Sequence, residues 1–200
     1  MKGSLKHVFS QLTWSLVSFQ LALTFITLLL HFLILEPEEQ ASVSLTFGSL
    51  KLTAYYAWPL ILMAIIVSLP MINKIPPMME IKLKLQSPPF GPWILQAPYW
   101  HFAIVSLLAG LSEEWLFRGV LQTSLGFYLS SFLFAVCHFL TPAYFVVAGI
   151  MGLYLGLIFD ASQGNLLPVI VIHAVYDFVV LSLLKIQWNR ELRDKFGPLH

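Results

Sequence analysis

Long apolar runs separated by short polar segments dominate the chain, and their lengths predict membrane-spanning helices. A helix needs about 20 mostly apolar residues to cross the hydrocarbon core of a bilayer. An even number of spans places both termini on the same side of the membrane. The pattern predicts an all-α, polytopic membrane bundle of about six transmembrane helices. The six predicted spans are 12–35, 52–72, 98 into the 120s, the short 127–140, 144–160 and 166–186.

The polar connections divide the chain into three predicted parts. Residues 1–96 contain two N-terminal spans and a cytoplasmic loop, residues 97–186 form a four-helix core, and residues 187–200 form a cytoplasmic tail. The connection at 73–91 is polar and rich in Pro, which predicts an ordinary loop. The alternative is a short interfacial segment at 81–85, where apolar and basic residues alternate.

The composition agrees with a membrane protein and excludes several other classes. Hydrophobic residues make up 58% of the 200 residues and charged residues only 10%, against about 25% charged residues in a soluble domain. Lipid must therefore cover much of the surface. The net charge of +1 does not indicate a nucleic-acid partner. The single cysteine, Cys137, excludes an internal disulfide framework and a cysteine-cluster metal site.

The basic residues predict the orientation in the membrane. In the six-span arrangement all but two of the 11 Lys and Arg residues fall on the side of the termini, and the first loop on the other side carries Glu36, Glu38 and Glu39. By the positive-inside rule both termini are then cytoplasmic. The basic residues on this side are Lys2, Lys6, Lys74, Lys82, Lys84, Lys185, Arg190, Arg193 and Lys195.

Ionisable residues lie inside the predicted spans, and the first group is in the third span. A charged side chain at mid-bilayer costs at least about 2.5–3.5 kcal/mol on insertion scales, so such groups face the bundle interior and mark function. Glu114 and Arg118 are four residues apart and meet on one helix face, which predicts a buried ion pair. Glu113 points about 100° away and is a candidate general base. The alternative is a structural cluster in which both glutamates share Arg118.

Two further motifs carry histidines. His138 closes the short fourth span, and His173 and Asp177 are four residues apart in the last span. Asp177 can hold the His173 ring by one nitrogen and leave the other facing a cavity, as in catalytic and metal-binding sites. Packing is the alternative for each motif alone. Together the three motifs supply what water activation needs: a base, a partner that shares its proton, and groups that stabilise an oxyanion.

The ordered motifs Glu-Glu-x-x-x-Arg, Phe-x-x-x-His and His-x-x-x-Asp resemble the CPBP family, also called Abi or CAAX-protease-like membrane proteins. This family includes type II CAAX prenyl endopeptidases and bacteriocin-processing or bacteriocin-immunity proteins. The resemblance covers about residues 100–180 and implies a catalytic core in the last four helices. The motif positions in this sequence are Glu113, Glu114, Arg118, Phe134, His138, His173 and Asp177.

The resemblance also implies roles for these residues. Glu113 would activate the hydrolytic water with help from His138, and the predicted ion pair would support the site. His173 and the residue at 177 would stabilise the oxyanion. Many family members have Asn at this last position, and its amide donates a hydrogen bond, whereas Asp177 donates only when it is protonated. We therefore expect Asp177 to orient His173.

A metal ion is an open alternative. Family members are often labelled metalloproteases, and a Glu/His/His/Asp set can hold Zn²⁺ with one open position. The candidate ligands would be Glu113, His138, His173 and Asp177. The zincin motif His-Glu-x-x-His is absent from the sequence, and a Glu–His pair can activate water unaided. We expect no obligatory cofactor, with Zn²⁺ as the alternative.

The predicted function is therefore intramembrane proteolysis of a membrane-associated peptide or protein, by a multi-pass protein of the bacterial inner membrane. One alternative is a non-catalytic bacteriocin-immunity or scaffold protein of the same fold. The other is a proton-coupled transporter, because chains of Glu, His and Asp also relay protons in membranes. Transporters are commonly built from internal repeats, and the sequence shows none.

Overall fold

The structure is a computed structural model that describes residues 2–36, 40–69 and 72–197. These residues form helices and no β-strand, with one isolated β-bridge between Ser42 and Asn165. A 3₁₀ turn occupies Ile72–Lys74 and a π-helical segment occupies Trp115–Gln122. The α-helices are α1 (Lys2–Ile34), α2 (Phe47–Val67), α3 (Pro76–Gln86), α4 (Phe90–Gln96), α5 (Tyr99–Glu114), α6 (Thr123–Leu125), α7 (Phe127–Cys137), α8 (Pro142–Ala161) and α9 (Leu167–Phe196).

The described residues include four helical segments with the length and apolar character needed to cross a membrane. Helix α7 is apolar but shorter, as predicted for the fourth span. The third predicted span begins as α5 and continues through the π-helical segment. The prediction of an all-α, polytopic bundle is confirmed, and the number of six spans stays a prediction. The four segments are Gln11–Ile34, Phe47–Val67, Pro142–Ala161 and Leu167–Phe196.

The connection at 73–91 is largely helical, so the prediction of an ordinary loop is wrong. Pro76 begins α3, because the fixed φ of Pro suits the first helical position, where its missing N–H costs no hydrogen bond. Helix α9 also extends beyond the predicted span end at 186. Its continuation is held by Trp188, which is 2% exposed and packs in one apolar cluster with Trp93 of α4.

Helices α5 and α9 cross closely at Gly110. A Cβ atom at this position would lie 2.7 Å from the carbonyl oxygen of Ile170 and 3.1 Å from the amide nitrogen of Ala174. Only glycine therefore allows the two backbones this approach. The crossing brings Glu114, one helical turn further along α5, next to His173 of α9.

Replacing Gly110 with Ala should force α5 and α9 apart. Inserting a methyl group into such a tightly packed site costs about 1–3 kcal/mol, so the melting temperature in detergent should fall, and the separation of Glu114 from His173 should lower activity. Gly149→Ala is the matched control, because its Cβ would meet only Ala135 at an ordinary 3.5 Å. Equal melting temperatures for the two variants would show that the crossing tolerates a side chain.

Helices α7 and α8 pack through glycine positions of α8. A Cβ at Gly152 would lie 3.2 Å from the carbonyl oxygen of Ser131 and 3.3 Å from the Phe134 ring. A Cβ at Gly156 would lie 2.7 Å from the Phe127 ring. The small residues of α8 therefore fit against α7. This packing holds Phe134, which is 2% exposed, in the core between the helices that carry the three motifs.

Helix α1 packs along α5, one of the helices of the predicted four-helix core. The indole nitrogen of Trp93 donates to Oγ1 of Thr13 across 2.9 Å, and the same oxygen lies 2.7 Å from Nδ1 of His101. Further along α1, the side chain of Gln20 is buried against the end of α5. The N-terminal helix is thus joined by polar contacts to the helix that carries Glu113 and Glu114.

Candidate active site

The first motif lies where α5 changes into the π-helical segment. Glu113 and Glu114 are the last residues of α5, and Arg118 lies within Trp115–Gln122. The sequence predicted a regular α-helix here. Short π-helical stretches inside α-helices are frequent at functional sites, because the wider turn changes the directions of the side chains. Ser130 of α7 donates a hydrogen bond of 2.5 Å to the carbonyl oxygen of Phe117 in this segment.

The Glu114 side chain is fully buried and contacts two other side chains, one with each carboxylate oxygen. Nε of Arg118 donates to Glu114 Oε2 across 3.1 Å, and both side chains are 0% exposed. The predicted Glu114–Arg118 ion pair is therefore present. The other carboxylate oxygen, Oε1, lies 2.6 Å from Nδ1 of His173. Glu114 thus joins the first motif to the third, and its charge is compensated by that of Arg118.

A chain of polar contacts extends from Arg118 away from the cavity. Nη1 of Arg118 donates to Oε1 of Gln122 across 3.3 Å. Nε2 of Gln122 donates to the carbonyl oxygen of Gly156 and, across 2.7 Å, to Oδ1 of Asp160 at the end of α8. The guanidinium group also lies 5.5 Å from the centre of the Phe134 ring. Arg118 is therefore fixed from three sides, which in turn fixes Glu114.

Glu113 and His138 form a second pair. Oε2 of Glu113 lies 3.3 Å from Nε2 of His138. Nδ1 of His138 lies 2.8 Å from the carbonyl oxygen of Phe134, and because a carbonyl can only accept, Nδ1 carries a hydrogen. The Phe134 ring stacks on the imidazole at 4.2 Å. With its other nitrogen satisfied, His138 presents Nε2 to Oε2 of Glu113, an oxygen that has no hydrogen-bond partner in the described part of the chain.

His173 lies between two carboxylates, and Asp177, which was predicted to orient it, is the more distant of the two. The ring is held at Nδ1 by Glu114 at 2.6 Å, whereas Oδ2 of Asp177 is 3.5 Å from Nε2. Glu114 is therefore the closer partner and orients the ring. Asp177, with its side chain 32% exposed, lies on the cavity side of the ring. The spacing of four residues along α9 predicted the contact with Asp177 but not the contact across helices.

A cavity of about 100 Å³ joins these side chains. This volume holds water molecules, which need roughly 10–15 Å³ each by this measure. Four of the six predicted site residues line it, while Glu114 and Arg118 lie behind its wall. The cavity is therefore lined by acid–base groups together with apolar and phenolic groups. Its lining residues are Glu113, Phe134, His138, Tyr144, Val147, Ala148, Met151, His173, Tyr176 and Asp177.

Three polar residues of the site were missed in the sequence. Tyr144 and Tyr176 place phenol rings on the cavity wall. Gln20 of α1 lies with its Nε2 atom 3.2 Å from Oε1 of Glu113. An amide inside an apolar run was a usable signal, because polar side chains in membrane helices form hydrogen bonds between helices.

The four residues considered as metal ligands do not converge on one point. Within residues 2–36, 40–69 and 72–197, no three His, Cys, Asp or Glu side chains are arranged to share a metal ion. The four instead form two separate pairs, Glu113 with His138 and His173 with Asp177. Nδ1 of His173 is also occupied by Glu114. This donor set does not fit a Zn²⁺ site of three or four ligands.

The comparisons with known proteins fall on the part of the chain that carries this site. Residues 95–179 match the family described as type II CAAX prenyl endopeptidase Rce1-like. The chain is also 34% identical over 98 residues to the uncharacterized protein YpbD of Bacillus subtilis (strain 168). This alignment covers 48% of the chain and 50% of that protein, so the chain matches half of the relative's length. No solved structure matches the chain. The predicted family resemblance is confirmed, and together with the apolar helices it identifies an integral membrane protein.

Proposed function

We propose that this chain, whose residues 95–179 match the family described as type II CAAX prenyl endopeptidase Rce1-like, is an endopeptidase that cleaves a membrane-associated peptide or protein within the bilayer. One observation carries the proposal. A carboxylate, Glu113, and an imidazole, His138, face each other at 3.3 Å on the wall of a cavity with room for water. A second imidazole, His173, lines the same cavity.

In the proposed reaction Glu113 is the general base. Its carboxylate takes a proton from a water molecule in the cavity while the oxygen of that water attacks the carbonyl carbon of the substrate. The proton then passes through Nε2 of His138 to the leaving nitrogen as the C–N bond breaks. One water is consumed, and a carboxylate and an amine are formed. A positioned base or acid of this kind contributes about 10²–10⁴-fold to the rate.

His173 is proposed to bind the oxygen that becomes negative in the tetrahedral intermediate, and Asp177, in its protonated form, is proposed to donate a second hydrogen bond to it. Glu114 holds Nδ1 of His173, so the opposite nitrogen, Nε2, is directed toward Asp177 and the cavity. Because Nδ1 carries the hydrogen that faces the Glu114 carboxylate, Nε2 can donate to the oxyanion when the ring is the imidazolium. Such donors stabilise the transition state most when they are fixed before reaction. The buried contacts of Glu114 with Arg118 and His173 supply that rigidity.

The proposed substrate is a lipid-anchored or membrane-embedded peptide or protein, because the reacting groups lie among apolar helices. The proposed location is the bacterial inner membrane with both termini in the cytoplasm, as the distribution of basic residues predicts. We further propose that the reaction needs no metal ion, since the acid–base groups are paired with one another.

A comparison of peptide termini tests the function. Membranes from cells that carry the wild type, Glu113→Gln or an empty vector are compared for new N- and C-termini by mass spectrometry. Peptide termini found only with the wild type are expected, and they would also identify the substrate. Identical sets of termini in all three samples would contradict the proposal.

The two substitutions Asp177→Asn and Asp177→Ala separate the oxyanion role from metal binding. Asp177→Asn should lose less than about tenfold in rate, because Glu114 still orients His173 and the new amide can donate a hydrogen bond. Asp177→Ala should lose about 10²–10³-fold, the usual cost of one hydrogen bond to an oxyanion. The kcat of each variant and of the wild type is measured with and without a chelator, on the substrate that the comparison of peptide termini identifies. Asp177 would instead bind a metal if both variants were equally inactive and if a chelator abolished the wild-type activity and Zn²⁺ restored it.

The contacts of Arg118 argue against proton conduction along the buried polar chain to which it belongs. A continuous chain of polar contacts links five side chains, those of Asp160, Gln122, Arg118, Glu114 and His173. A proton relay needs every member to accept and release a proton, and the amide of Gln122 is not an acid–base group. The chain is therefore suited to hold Glu114 in place rather than to conduct. The alternative of a non-catalytic immunity or scaffold protein does not need the cavity between Glu113 and His173.

A further inference from the structure

We propose that Gln20 of helix α1 is a positioning residue for the Glu113 carboxylate, so that α1 forms part of the active site. Gln20 lies outside residues 95–179, the segment that matches the family. Its side chain is 7% exposed, and Nε2 lies 3.2 Å from Oε1 of Glu113. This inference rests on the proposed role of Glu113 as the general base.

The Glu113 carboxylate determines which end of the Gln20 amide faces it. An ionised carboxylate can only accept a hydrogen bond, so the NH₂ end of the amide points at Oε1 of Glu113. The amide oxygen of Gln20 is left on the other side, within hydrogen-bond distance of the Ser112 hydroxyl. A reversed amide would place its oxygen against Oε1 of Glu113, and two acceptors would then face each other without a hydrogen. The observed orientation gives Glu113 a charge-assisted hydrogen bond, which is stronger than one between neutral groups.

The two oxygens of Glu113 consequently have different surroundings. Oε1 accepts from Gln20 on the α1 side, and Oε2 faces Nε2 of His138 on the α7 side at 3.3 Å. Gln20 thus fixes the plane of the carboxylate and leaves Oε2 to take the proton from water. A reacting group performs best when a supporting residue holds it within about 0.5 Å of the productive geometry. Gln20 supplies this support from a helix that carries no family motif.

Gln20 belongs to a buried polar face of α1, and this face provides a matched control. Thr13, Gln20 and Thr27 are all buried, and they repeat every seventh residue, so they lie on one side of the helix. The Thr27 hydroxyl has no hydrogen-bond partner among the described residues. Thr27→Val therefore changes a buried polar residue of the same face without touching Glu113.

The test compares Gln20→Met with Thr27→Val. Met keeps the length of the side chain but removes the donor, and the loss of a hydrogen bond to a charged group lowers a rate by about 10–100-fold. We expect this fall in kcat for Gln20→Met with KM unchanged, and wild-type kinetics for Thr27→Val. Without its donor the carboxylate binds a proton more readily, so the pH–rate profile of Gln20→Met should move to higher pH. A role in packing alone would not move this profile.

A chemical measurement separates this inference from the proposed function. Carbodiimides modify protonated carboxyl groups, and mass spectrometry of the modified Glu113 peptide at a series of pH values needs no turnover. Modification should persist to higher pH in Gln20→Met than in wild type or Thr27→Val. If the wild type shows no turnover, the proposed function is wrong. The pH dependence of the Glu113 modification would still show whether Gln20 positions the carboxylate.

Two results would overturn the inference. The first is a Gln20→Met protein with wild-type kcat. The second is a slower Gln20→Met protein whose pH–rate and modification profiles coincide with the wild type, which would leave Gln20 a packing role only. Should Gln20→Met fail to accumulate, Ser112→Ala replaces it: the freed amide should move both profiles in the same direction by a smaller amount, and unmoved profiles would overturn the inference.

Discussion

Replacing Glu113 with Gln should lower the rate of cleavage at least about 10³-fold, within the range that a general base contributes. The amide keeps the shape of the side chain but cannot take a proton from water. The amount of folded protein should stay near that of the wild type, because neither Arg118 nor the His173 ring depends on Glu113. The measurements are kcat on the identified substrate and the folded fraction by size-exclusion chromatography in detergent.

Glu80→Gln is the control for this prediction. Glu80 is an exposed residue of α3, remote from the cavity, so the same chemical change there should leave kcat and protein amount unaltered. Cleavage by Glu113→Gln at a rate near the wild type would remove Glu113 from the reaction. Loss of both activity and folded protein would instead assign it a structural role.

Replacing Glu114 with Ala should have the largest effect on stability. The substitution leaves Arg118 and His173 buried without their shared carboxylate. Removing one partner of a buried ion pair costs about 3–5 kcal/mol, which is a large part of the stability of a typical domain. Little folded protein should therefore accumulate in membranes, as measured by fluorescence-detected size-exclusion chromatography of a tagged protein.

The Lys82–Glu191 pair offers a matched control for this change. These side chains lie 2.5 Å apart, and that of Glu191 is 43% exposed. Exposed ion pairs contribute about 0–1 kcal/mol, so Glu191→Ala should accumulate like the wild type. Equal accumulation of Glu114→Ala and Glu191→Ala would mean that Glu114 does not hold the site together.

The sequence predicted contacts within one helix better than contacts between helices. Glu114 and Arg118 are four residues apart, and helix geometry alone places them side by side, as observed at 3.1 Å. The same reasoning paired His173 with Asp177, but the closer partner of His173 is Glu114 on another helix. That contact depends on how closely α5 and α9 cross at Gly110. A spacing rule along one chain contains no information about such a crossing.

Gln20 was overlooked for a different reason. A charged residue in an apolar span is costly and attracts attention, whereas a neutral amide costs less and was not singled out. The direction in which Gln20 points depends on the packing of α1 against α5, which the apolar pattern of α1 does not specify. Similarly, the prolines of 73–91 suggested a loop, yet Pro76 occupies the one helical position where Pro is favourable.

The most direct measurement uses purified protein reconstituted in liposomes with the substrate found by the comparison of termini, in ¹⁸O-labelled water. Wild-type protein should produce two fragments, with ¹⁸O in the new C-terminal carboxylate, and Glu113→Gln should produce neither. This result would establish that the chain hydrolyses a peptide bond with water activated by Glu113. Fragments formed equally by both proteins, or by neither of them, would contradict that account.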